Sequence, residues 1–159
     1  DFKMRLAMML AAPSVDSARA LIDRGVKSDG TMGLRGGLPA NIHLVSTSDS
    51  VRSVRQTVFP PAGPIAGAGL TVHLDQTNAL KNASRVLMYL TGSTQVDFLD
   101  TIDFVPGALA DHLTSFGGVL DKAHGQMTVL SWIDAGATAT YGTSSEPCAH
   151  LQSFRTLKA

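Results

Sequence analysis

The stretch RVLMYL at residues 85–90 decides the fold. Five of its six residues are apolar, and they do not alternate with polar ones. A half-buried strand would alternate, and a buried helix would run longer. A short continuous run suits a strand covered on both faces, as in a parallel sheet. Thr91, Gly92 and Ser93 end it.

Other strands lie on either side of this one. Leu70, Val72 and Leu74 alternate with Thr71, His73 and Asp75, which predicts a half-buried strand. Residues 42–46 and 137–141 read as two more strands. Residues 4–12 read as a buried first strand closed by Pro13.

Helical spacings fall between the strands. Ser14 caps a helix with Val15, Ala18, Ile22 and Val26 on one face and Arg19, Asp23 and Lys27 as a solvated ladder. Ser48 caps a second helix, with Val51, Val54 and Val58 facing inward and Arg52 and Arg55 outward. Residues 77–83 hold a helical turn. Pro106 starts a further helix, in which Leu109, Leu113 and Phe116 face the core, Asp111 points away and His112 flanks. Met127, Leu130 and Ile133 form the inner stripe of the last helix, with Trp132 beside them. Gly136 is its left-handed stop. Residues 28–41 and 60–69 are glycine- and proline-rich connections. Strands alternating with helices give the α/β class. The expectation is a mainly parallel sheet of about five strands with helices on both faces, in one domain over residues 1–159.

The totals exclude several function classes. With 159 residues, 44% hydrophobic and 16% charged, the chain holds one globular core. Thirteen basic residues balance thirteen acidic ones, so no basic footprint for nucleic acid is present. No apolar run reaches membrane-spanning length, so no membrane insertion is expected. The start, DFKMRLAMMLAAPS, has two basic residues before a short apolar run, but it reads as a strand ahead of a signal peptide. The single cysteine, Cys148, forms no internal disulfide framework and leaves the compartment open.

In an open α/β sheet, ligands bind beyond the carboxyl ends of the strands. That rule selects Ser46 to Ser48, Asp75, Ser93, Thr94, and the run from Thr143 through Ser144 and Glu146 to Cys148. No G-x-S-x-G elbow and no H-E-x-x-H is present. A lone His73-x-Asp75 does not specify a metal. Cys148 has Glu146 and His150 two residues to either side, the ingredients of an activated thiol. Asp97, Asp100 and Asp103 recur every three residues near Asp111, a set of hard oxygen ligands that would suit calcium. No lysine or arginine lies between Val86 and Asp121 to neutralise them.

The strings QMTVLSWIDAGATATYGTSSEPC at residues 126–148 and VPGALADHLTSFGG at 105–118 resemble a numbered family of hypothetical proteins from proteobacteria, including Geobacter-like species. The resemblance runs from about Met8 to Phe154, and the family continues past that point with a proline-rich turn. By that comparison the chain is shortened at its C-terminus, and an exposed edge there favours self-association. The pattern of helix, Ala-Gly-Ala, strand and Gly-Thr is similar to the closing part of caspase-like and gingipain-like folds, which implies a caspase-like half or truncated domain. The His-Cys pair of those peptidases is not visible after residues 85–90, so peptidase activity does not carry over. A short metagenome-derived member of the family is identified as a quorum-quenching N-acyl-homoserine lactonase with which calcium is associated. The resemblance therefore implies a metal-assisted hydrolase that opens the ring of a small lactone substrate. The catalytic expectation falls on Asp111, His112 and Cys148, the substrate edge on Ser93, Thr94, Thr143, Ser144 and Glu146, and calcium on Asp97, Asp100 and Asp103. The 60–69 connection would help line an acyl groove. The alternative is a non-catalytic caspase-like module that binds a protein partner.

Overall fold

A computed structural model describes residues 8–30, 39–121 and 124–146. Six strands form one sheet: β1 (Ala40–Ser46), β2 (Gly63–Ile65), β3 (Leu70–Gln76), β4 (Val86–Thr91), β5 (Phe104–His112) and β6 (Ala139–Thr140). Their order across the sheet is β2-β3-β1-β4-β5-β6. Every pairing is parallel except that of β2 with β3. The 85–90 run thus becomes a central strand, β4, flanked on both sides by β1 and β5. Its side chains go to two cores. Tyr89 joins Val45, Ala110, Trp132 and Met127 on one face, and Leu90 joins Leu44 and Val72, backed by Phe59, on the other. Burial on both faces is why the run is apolar throughout.

Trp132 and Tyr89 are fully buried and meet edge to face, with ring centroids 5.0 Å apart. The Tyr89 hydroxyl accepts the Leu80 N–H at 3.1 Å, and burial pushes its pKa up to about 12.

Two helices accompany the sheet: α1 (Val15–Ser28) and α2 (Leu130–Asp134). Ser14 caps α1 as expected, its Oγ accepting the Ser17 N–H at 3.1 Å. The buried face, however, differs from the predicted stripe. Leu21 is buried, while Val15, Ile22 and Val26 are 67%, 50% and 70% exposed. Arg24 turns the helix this way. Its guanidinium donates to the carbonyls of Ile133 (2.8 Å) and Ala137 (3.0 Å), at the end of α2. Those contacts bring the Leu21–Arg24 side of α1 inward and leave the valines and isoleucine outside.

Other elements also differ from the sequence reading. The helix expected from Pro106 is strand β5. Ala and Leu favour a helix locally, but the pairing of Leu109, Ala110 and Asp111 with Met88, Tyr89 and Leu90 overrides that preference. The register slips between Val86 and Met88, and Pro106 and Gly107 sit in the resulting irregularity, where a missing ladder N–H costs little. Residues 8–12 form no strand, and Met8 and Met9 are 73% and 79% exposed; the earlier part of that expected strand lies outside the described residues. Residues 77–83 contain no helical turn. The 60–69 connection holds β2, an edge strand, rather than being wholly loop. The last helix is only α2, and ahead of it the N–H groups of Met127 and Val129 go to the Thr94 and Gly117 carbonyls. Gly136, at φ +113°, does end it. No helix among the described residues is long and apolar enough to cross a membrane.

Candidate functional site at the carboxyl end of the sheet

From β1 the chain goes to β3 on one side and then to β4, β5 and β6 on the other, so the order reverses between β1 and β4. This is where such sheets commonly open a ligand crevice. Here the crevice is filled from within. The segment after β1 enters a 3-10 helix, Arg52–Val58. Thr47 Oγ1 donates to the Gly92 carbonyl at 2.6 Å, and Ser53 Oγ accepts the Thr47 N–H at 2.9 Å. Ser48 does not cap this helix; the N-cap position falls on Val51, which has no side-chain cap bond, and Asp49 accepts the Arg52 N–H at 3.0 Å and its guanidinium at 2.7 Å. Burial pushes the Asp49 carboxyl up, but these bonds outweigh it and hold its pKa below the ordinary value. Gly92 lies directly against this turn. A Cβ there would sit 2.1 Å from the Arg52 carbonyl oxygen. Ser93 bonds locally to Gln95, and the Thr94 carbonyl is taken by Met127.

Arg55, expected to face solvent, points into the fold. It pairs with Asp111 and donates to the Thr91 carbonyl at 2.6 Å. The Asp111 side chain is 11% exposed and the Arg55 side chain 13%. His112 is 2% exposed. Its Nδ1 accepts the Trp132 indole N–H at 2.8 Å, which leaves Nε2 protonated and donating to the Met127 carbonyl at 2.9 Å. Burial lowers the His112 pKa, opposed by the Met127 bond and by Asp111, and reinforced by Arg55. In this arrangement Asp111 Oδ2 and both His112 ring nitrogens are committed to holding the sheet end together.

Beyond β5 a different set of residues gathers. The 142–146 loop is strapped to residues 114–118. Thr143 Oγ1 lies 2.9 Å from the Thr114 carbonyl and 2.8 Å from that of Ser115, and the Thr143 carbonyl accepts the Gly118 N–H at 2.9 Å. Gln126 Oε1 takes the Thr114 hydroxyl at 2.6 Å and the Phe116 N–H at 2.9 Å. Ser115 Oγ donates to Glu146 Oε2 at 2.6 Å. Ser115 is buried at 8% and Glu146 is exposed. A hydroxyl on a carboxylate at this distance has the geometry of a nucleophile and its base.

The predicted edge residues Thr143 and Glu146 are therefore brought together, with Ser144 exposed between them. Ser93 and Thr94 belong to the filled end. Cys148 and His150 lie outside the described residues. Sequence reasoning missed Ser115, which no elbow motif marks, and Arg55, whose spacing matched the outer face of an α-helix.

Asp97, Asp100 and Asp103 are all exposed. Asp103 accepts the Arg85 N–H at 3.0 Å, and Lys81 Nζ lies 3.8 Å from the centre of the Phe98 ring between the other two. Among the described residues no three histidines, cysteines or carboxylates are gathered where an ion could sit.

Comparison of the chain with protein-family models, with curated proteins and with solved structures finds no match.

Proposed function

We propose that the chain is a hydrolase that opens the lactone ring of N-acyl-homoserine lactones, with Ser115 as nucleophile and Glu146 as its base. The observation that carries this reading is the 2.6 Å hydrogen bond from Ser115 Oγ to Glu146 Oε2 at the carboxyl end of β5. The substrate class comes from the resemblance of residues 105–118 and 126–148, strings that include both groups. In the reaction, Oγ attacks the lactone carbonyl carbon as its proton passes to Glu146. The ring C–O bond then breaks and the proton goes to the leaving ring oxygen. Water, giving its proton to Glu146, hydrolyses the resulting serine ester and regenerates the hydroxyl. Asp111 and His112 act as positioning residues, and no step is routed through calcium.

The test is lactone opening followed by acid release. Ser115→Ala and Glu146→Gln should each lower kcat at least a hundredfold, with Cys148→Ala close to the parent. A rate that survives Ser115→Ala and is lost in Cys148→Ala would move the nucleophile to the thiol.

A second reading, a non-catalytic module that binds a protein partner, is favoured by one observation. Val15, Ile22 and Val26 present an apolar stripe on α1. No lactone opening by any variant, together with loss of partner capture in Ile22→Asp, would favour it.

A further inference from the structure

A cavity of about 260 Å³ lies against β6 and Gly142, where the strap that carries Glu146 begins. Leu21, Leu120, Val129, Leu130 and Ile133 form its apolar walls, and Met8 and Met9 stand at its edge. None of its lining side chains is charged. It is larger than the engineered apolar cavity of about 150 Å³ that takes up benzene.

Its position connects it to the proposed centre. Gly118 and Gly142 form part of the wall, and they touch: a Cβ on Gly118 would lie 2.6 Å from the Gly142 carbonyl oxygen. The next residue, Thr143, holds the Gly118 N–H and lies against the Ser115 carbonyl. One strap thus borders both the apolar cavity and the serine. The 60–69 connection cannot serve this role, because β2 is on the opposite edge of the sheet from β5 and β6.

We infer that this cavity binds the unbranched alkyl tail of the acyl group, with the polar end of the molecule directed to the 142–146 strap. The inference rests on the hydrolase reading for the identity of the substrate. The absence of charge in the lining and the shared glycine wall are what select an alkyl chain continuous with a polar reacting group.

The experiment measures binding and turnover separately on the full chain. Calorimetry with straight-chain alkanols of four to ten carbons needs no reaction. Affinity should rise about fourfold per added methylene, until the cavity is full. Leu130→Trp, which fills the cavity, should flatten that rise. Tyr141→Ala changes an exposed lining residue that carries little of the fold, and it should weaken the longer alkanols severalfold. Affinity independent of chain length, or unchanged in both variants, overturns the inference. If alkanols bind with the expected dependence but no lactone is opened, the cavity stands and the hydrolase reading fails. If lactones are opened at rates and KM values indifferent to chain length, the hydrolase reading stands and the cavity assignment fails.

Discussion

The carboxyl ends of β4 and β5 are built from the same kinds of residue and do opposite things. At the end of β4, hydroxyls, two carboxylates and two arginines close on one another: Thr47 on Gly92, Asp49 on Arg52, and Arg55 on Thr91 and, from neighbouring β5, on Asp111. At the end of β5, a buried serine is bonded to a carboxylate that reaches solvent, and the strap carrying that carboxylate begins at the wall of an uncharged cavity. The first set is spent on the fold. The second leaves a serine–carboxylate pair at an edge that reaches solvent. Composition at a strand end does not tell these apart; the partners of each polar atom do.

The contrast breaks most sharply through Arg55. Arg55→Met leaves Asp111 without its cation at a site where both side chains are nearly buried. Loss of one partner from such a pair costs about 3–5 kcal/mol. Urea unfolding should show that loss, whereas Ser115→Ala should cost at most about 1.5–3 kcal/mol, the range for a hydrogen bond to a charged group, and toward its lower end because the Glu146 carboxylate is exposed. Equal losses in the two variants would erase the distinction between the ends.

The two glycine contacts offer a smaller effect. Gly92→Ala drives a methyl group into the Arg52 carbonyl, so the 3-10 turn must move. Overpacking of this kind costs about 1–3 kcal/mol. Gly142→Ala meets Val129 Cγ1 at 2.5 Å and the Gly118 N at 2.6 Å. It should displace the strap and lower lactone turnover more than it lowers the unfolding midpoint. The reverse pattern, with Gly92→Ala sparing stability and Gly142→Ala sparing turnover, would assign the two ends the wrong way round.

His112 sharpens the same comparison through pH. Its folded-state pKa lies below the ordinary 6.5, chiefly because it is buried. At neutral pH both folded and unfolded states carry the neutral ring, and its contribution is intact. As pH falls below 6.5 the unfolded state takes up the proton first. Stability should then drop by up to about 1.4 kcal/mol per pH unit until the folded-state pKa is reached. The Trp132 N–H already points at Nδ1, so the folded state has no place for the second proton. His112→Gln should remove this acid-dependent slope below pH 6.5 in denaturant titrations. An unchanged slope would place the acid sensitivity elsewhere.

The sheet was legible because burial on both faces leaves a mark on sequence. The apolar 85–90 run and the alternating 70–75 stretch led directly to β4 and β3. Residues 106–112 were not legible, since Ala108, Leu109 and Ala110 suit a helix and only pairing with Met88 and Tyr89 makes them a strand. The α1 stripe was misread because Arg24, a charged residue, seeks the carbonyls of Ile133 and Ala137, more than a hundred positions away. The site was half legible for a related reason. Thr143 and Glu146 follow a strand and so stand out, but Ser115 becomes a candidate only when a loop 31 residues later supplies its carboxylate.

The aspartates give the smallest expected effect. Read along the chain, Asp97, Asp100 and Asp103 lack a nearby cation and invite calcium. The fold gives Asp103 one partner from upstream, the Arg85 N–H, while Lys81 stands over the Phe98 ring. Exposed carboxylates in water repel one another weakly, and calcium needs six to eight oxygens around one point. A site saturated a hundredfold above its Kd would add about 2.7 kcal/mol to stability. If these carboxylates stay solvated singly, millimolar calcium should shift Tm by less than about one degree, and Asp100→Ala should leave that shift as it is. Thermal melts in calcium and in chelator decide the matter. A rise of several degrees that Asp100→Ala abolishes would show that the 97–103 turn closes around the ion, and would return a metal to the exposed side of this sheet end.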